Sequence, residues 1–93
     1  MNTPQNLWVE YRTTKRNYVD LVSTEGCVVV DEFLDKISER PRLAIPKDIP
    51  FALFDQEGNE IDPGVDVNTL IDGKDRKKPL VVKCIIGFVL TRI

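Results

Sequence analysis

Apolar and polar residues alternate near the start of the chain. In Leu7-Trp8-Val9-Glu10-Tyr11-Arg12 the residues Leu7, Val9 and Tyr11 share one face, the period-2 pattern of a half-buried strand. A polar gap of hairpin length, Thr13-Thr14-Lys15-Arg16-Asn17, follows. Tyr18-Val19-Asp20-Leu21-Val22 then alternates again, with Val19 and Leu21 on one face. The two runs predict an N-terminal β-hairpin with Lys15 and Arg16 at its tip. After Ser23-Thr24-Glu25-Gly26 the period lengthens. Val30, Phe33, Leu34 and Ile37 fall at i, i+3, i+4 and i+7, one stripe of an amphipathic helix. Its other face carries Asp31, Glu32, Asp35, Lys36 and Glu39. Glu32 and Lys36 are spaced to pair, and acid early with base late suits the helix dipole. Pro41 disfavours a helical Arg40 and stops the helix.

The stretch from Pro41 through Pro46 to Pro50 predicts an ordered but irregular connection. Phe51-Ala52-Leu53-Phe54 is a short apolar strand, and Asp55-Gln56-Glu57-Gly58-Asn59 a turn. Glu60-Ile61 can return as a very short strand, and Val67 to Ile71 as a single helical or 3₁₀ turn before Gly73. Leu80-Val81-Val82-Lys83-Cys84-Ile85-Ile86 is apolar on both faces, which suits a central strand. The order β-β-α-β-(β)-β predicts an α+β domain, a mixed four- to five-stranded sheet crossed by one helix. This is the β-grasp arrangement of ubiquitin-like domains, with the last strand parallel beside the first. Residues 1–6 are expected to be a flexible N-terminus, 7–86 the domain and 87–93 a C-terminal extension.

Several segments also resemble a known family. Leu7-Trp8-Val9 opening the first strand, the helix Val30-Asp31-Glu32-Phe33-Leu34-Asp35-Lys36-Ile37, and Phe51-Ala52-Leu53-Phe54 are similar to the N-terminal header of Crinkler effectors. Asp62-Pro63-Gly64, Asn68-Thr69-Leu70-Ile71 and Lys78-Pro79-Leu80-Val81-Val82-Lys83 resemble the closing stretch of that header. Asp55-Gln56 stands where the family's strand motif runs on to Ala-Lys. The resemblance implies a ubiquitin-like header of a secreted effector that acts in a host cell. The chain ends Leu90-Thr91-Arg92-Ile93 and not in a diglycine, so conjugation as a modifier is not expected.

Composition narrows the chemistry. The 93 residues are the length of one domain, with a net charge of −2 that excludes a strongly basic nucleic-acid module. With no histidine there is no Ser-His or Cys-His relay, and no carboxylate pair stands in an obvious acid–base arrangement, so a non-catalytic domain without a cofactor is expected. Cys27 and Cys84 read as reduced, mostly buried thiols; the sharper reading is a Cys27 activated by the helix N-terminus. Met1 to Asn6 has no basic and apolar signal pattern, and Lys83 interrupts the longest apolar run. A soluble protein without membrane insertion is the expectation. Its compartment is open between the secreted, host-targeted location implied by the resemblance and the cytoplasm.

Two surfaces are candidates for recognition of another protein. The first is the sheet face turned away from the helix, carrying Trp8, Tyr18, Val81, Ile85 and Phe54, with Arg12, Asp20 and Lys83 as rim charges. Alternatively, the Pro-rich connection and the residues after Ile86 fold over that face. The second is an acidic ridge, Asp55, Glu57, Glu60, Asp62 and Asp66, with Lys15 and Arg16 as a basic counterpart. That pairing suits an intracellular adaptor or oligomerisation module resembling PB1 or Ras-binding domains, with weak self-association. Asp55-x-Glu57-x-Asn59 with Asp66 is also the outline of a calcium loop, but Glu60 stands where its glycine belongs. Gly73-Lys74 lacks both the upstream glycine and the hydroxyl residue of a phosphate loop.

Overall fold

The computed structural model describes residues 4–46 and 49–84. Its elements are β1 (Asn6–Arg12), β2 (Asn17–Ser23), α1 (Val30–Ser38), β3 (Phe51–Phe54), a 3₁₀ turn (Val67–Thr69) and β4 (Leu80–Cys84). The strands form one sheet in the order β2-β1-β4-β3. β1 and β4 run parallel at its centre, with Val9 opposite Leu80 and Tyr11 opposite Val82, while the two outer pairings are antiparallel. A parallel pair needs a long crossover, and here the chain between β1 and β4 includes the only helix among the described residues. The domain is thus α+β, a four-stranded mixed sheet with one helix, and the last strand lies parallel to the first as the element order predicts. The short return strand expected at Glu60-Ile61 is reduced to one bridge, Phe54 opposite Glu60.

α1 begins after Val29, whose side chain has no acceptor to offer. Glu32 does that work: its Oε1 accepts from the backbone N–H groups of Val28 (2.7 Å) and Val29 (3.2 Å). These two donors hold the Glu32 carboxyl below its ordinary range. Glu32 therefore does not make the expected pair with Lys36, whose Nζ donates to the Glu25 carbonyl at 2.9 Å. The helix ends at Ser38, short of Arg40, with Ser38 Oγ donating to the Asp35 carbonyl.

One core fills the space between α1 and the sheet. Val30, Phe33 and Ile37 from the helix meet Leu7, Val9, Tyr11, Val22, Leu53, Leu80 and Val82 from the sheet. Leu43 and Ile45, from the Pro-rich connection, belong to this same core. That connection therefore packs on the helix side, and its described part is anchored away from the outer sheet face.

The register of β2 differs by one residue from the sequence expectation. Tyr11 lies opposite Tyr18, Val9 opposite Asp20 and Leu7 opposite Val22, so Tyr18, Asp20 and Val22 face the helix and Val19 and Leu21 face outward. The hairpin turn sets this register. Thr13 N–H donates to the Arg16 carbonyl, and Thr13 Oγ1 accepts from the N–H groups of Lys15 and Arg16, closing Thr13–Arg16 and placing Asn17 opposite Arg12. Val22 gains complete burial against the core in this register. Its cost is Asp20, carried inward with 8% of its surface exposed. Arg40 Nε donates to Asp20 Oδ2 at 2.8 Å, and the Leu21 N–H donates to Oδ1 at 2.8 Å. An inward-pointing charge on an edge strand also discourages edge-to-edge pairing.

Candidate functional site

The sheet face opposite the core is built by the strand register. Val19, Glu10, Val81 and Phe54 form one row across all four strands, with Trp8 and Leu21 paired beside it and Lys83 opposite Ala52. Of the residues expected there, Trp8 and Phe54 are half-buried and Lys83 is exposed, whereas Val81 keeps only 1% of its surface. Arg12 lies on this face; Ile85 falls outside the described residues. Tyr18 and Asp20 do not belong to it. Tyr18 stacks on Tyr11 on the helix side, ring centroids 6.2 Å apart, and Asp20 forms the inward ion pair with Arg40. Leu21, 37% exposed, takes the place the sequence reading gave to Tyr18.

Charge on the outer face is organised around its rings. The Arg76 guanidinium lies 5.5 Å from the Trp8 ring centroid, and Lys83 Nζ lies 5.0 Å from that of Phe54. Glu10, the acid of the central row, is bonded to Arg12 at 2.8 Å and its side chain is only 14% exposed. Among the described residues the ion pairs are Arg12–Glu10 and Arg40–Asp20, so neither Arg76 nor Lys83 has a carboxylate partner there.

The loop that carries Arg76 is itself tied to Trp8. The Trp8 N–H donates to the Gly73 carbonyl at 2.6 Å, Gly73 N–H donates to the Lys78 carbonyl at 2.7 Å, and Lys78 N–H to the Asp75 carbonyl at 3.0 Å. Asp75 Oδ1 accepts the Lys77 N–H. The backbone of Trp8 thus holds the base of a closed loop whose tip returns a cation to the Trp8 side chain. Sequence reasoning left Arg76 in a charged loop; no local pattern links it to a residue so far back in the chain.

The acidic ridge is mostly occupied by its own turns. Asp55 Oδ1 accepts from the N–H groups of Glu57 and Asn59, each at 2.9 Å, which lowers the Asp55 pKa. Asp62 accepts from Gly64 N–H, and Asp66 from Asn68 N–H at the start of the 3₁₀ turn. Glu57 and Glu60 are exposed. A shallow groove of about 630 Å³ runs beside this turn, with Leu70 and Leu80 at its floor and Asp55, Glu57 and Asp72 among its polar lining. Lys15 and Arg16 sit at the exposed hairpin tip. β3 runs antiparallel to β4, which runs parallel to β1, so the turn after Phe54 and the hairpin tip after Arg12 lie at opposite ends of the sheet.

The cysteines are separate and free. Burial pushes the Cys27 thiol up, contrary to activation by the helix terminus. The Tyr11 hydroxyl and Cys84 Sγ are 3.2 Å apart. This hydrogen bond, then burial, then the charges of Cys84 and Tyr18 push Tyr11 up from 10.0 to about 12. A raised phenol favours the folded state in its neutral form. That contribution should be complete below pH 10 and should disappear as the pH rises toward about 12. Ultraviolet titration should resolve one late phenol, and Cys84→Ala should move it back toward the ordinary tyrosine range; an unmoved late phenol would contradict the hydrogen-bond cause.

Among the described residues no group of three or more His, Cys, Asp or Glu side chains is arranged to hold a metal ion, and no helix is long and apolar enough to cross a membrane. No family model matches the chain, and a search of curated proteins and one of solved structures each return no match.

Proposed function

We propose that this chain is a β-grasp, ubiquitin-like interaction domain that recognises another protein through the outer face of its sheet. The observation that carries the reading is the group of Leu21, Trp8 and Phe54, from β2, β1 and β3, left partly open on the face opposite the helix-covered core, with Val81 of β4 buried beneath them. A sheet with parallel central β1 and β4 crossed by one helix supports the β-grasp part. The resemblance to Crinkler headers supports a place in a secreted effector, which recovery of the protein in the secreted fraction would test. Recognition here requires no reacting groups: Trp8 supplies rigid apolar area, and the flanking cations supply orientation.

Trp8→Ala should lower recovery of a bound partner by tenfold or more, the loss of about 1.4 kcal/mol or beyond. The substituted protein should still unfold cooperatively. Quantitative affinity capture with the two proteins side by side reads this directly; equal recovery would sink the proposal.

One observation favours a second reading, a head-to-tail module resembling PB1 domains. The acidic turn and the basic tip of Lys15 and Arg16 lie at opposite ends of the sheet. One chain cannot close that pair on itself, whereas two copies can. Such an assembly would dissolve at high salt.

A further inference from the structure

We infer that the outer face takes an acidic, apolar segment of its partner, with carboxylates docking on Arg76 and Lys83 beside the rings those cations cover. The inference rests on the outer-face reading above and names the chemistry of the occupant. A guanidinium held over an indole by its charge does not use its N–H donors in that contact. Arg76 can therefore hold Trp8 and still present a fork to a carboxylate. Lys83 is exposed and stands over Phe54 in the same way, on the far side of the row. The charge balance of the face selects the sign of the partner. Its one central acid, Glu10, is already held by Arg12, and the two ring-bound cations have no carboxylate partner among the described residues.

The apolar requirement comes from what lies between and beside the cations. Leu21 is 37% exposed next to Trp8, and Val19 is half-buried in the central row. A purely charged ligand would leave this surface wet. The arrangement is also prepared before binding, because the hydrogen bonds of Gly73, Lys78 and Trp8 fix the loop that delivers Arg76. An acidic peptide fits better than a nucleic acid. The chain as a whole carries −2, and a long polyanion would also meet the acidic 55–66 stretch.

A random-peptide display library panned on the full chain, with counter-selection on Trp8→Ala, tests this. Leu21→Glu, a change at an exposed position that adds charge without opening the core, serves as a second face variant. The expected result is a pool that depends on both face positions and is enriched in Asp and Glu next to aromatic or aliphatic residues. Synthetic peptides from that pool should bind roughly fivefold more weakly to Arg76→Gln and to Lys83→Gln, and more weakly as salt rises. A face-dependent pool without acidic excess, or one indifferent to both Gln substitutions, would overturn the inference and leave the outer face standing as a docking surface. No pool dependent on either face position would overturn both. A single-stranded oligonucleotide that displaces the selected peptides at lower concentration would overturn it in favour of nucleic acid.

Discussion

Phe33→Ala should destabilise the domain by about 3–5 kcal/mol, the cost of the lost transfer energy and the cavity left behind. Phe33 has no exposed surface and stands between Val30 and Ile37 in the buried stripe of α1. That helix is the only one among the described residues, and it covers the single sheet face on which the core is built. No second layer can move in to fill the space, so little relaxation is available. A domain of this size has roughly 5–15 kcal/mol in total. The substitution should therefore leave a protein that unfolds at low urea or is already partly unfolded at ambient temperature. Leu34→Ala, at a half-buried position one residue on, should cost much less. Similar urea midpoints for the two variants would show that α1 does not pack on the sheet as described.

The second large effect is expected at Gly73. Its φ is +93°, in the region that side chains rarely adopt, and a Cβ there would meet Leu80 Cγ and Cδ1 at 3.1 Å and the Trp8 carbonyl oxygen at 3.2 Å. The Leu80 side chain is fully buried and the Trp8 oxygen is backbone, so neither can yield freely. Gly73→Ala should cost about 2–4 kcal/mol, conformational strain plus overpacking. Gly26→Ala separates the two causes. Gly26 has φ +83° but nothing within 4 Å of an added Cβ, so only the strain of about 1–2 kcal/mol applies. Gly73→Ala should also displace the loop that places Arg76 on Trp8. Because Trp8 is the only tryptophan, its emission reports that displacement directly. A Gly73→Ala protein with the stability of Gly26→Ala and unchanged emission would contradict the close approach.

These two sites differ in how far they could be read from the chain. Phe33 is legible as core from the i, i+3, i+4 spacing alone, and the structure buries it completely. Gly73 reads only as the end of a turn; that its carbonyl holds β1 and its Cα faces Leu80 depends on β4 lying beside β1. The outer face divides in the same way. Trp8 and Phe54 follow from alternation within their own strands, while Leu21 and Arg76 do not. In β2 the run Val19-Asp20-Leu21-Val22 has apolar residues of both parities, and period 2 cannot choose between them.

By itself the sequence determined the element order, the crossing helix and its buried stripe, the central place of the last strand and the polar turns. Each of these is a local periodicity or a backbone preference that a short window contains. The tertiary structure alone decided that Tyr18 and Asp20 face inward, that Asp20 pairs with Arg40, and that Arg76 lies over Trp8. Those outcomes depend on hairpin register and on contacts between distant parts of the chain, where small differences in burial and charge choose among arrangements that the local pattern permits equally.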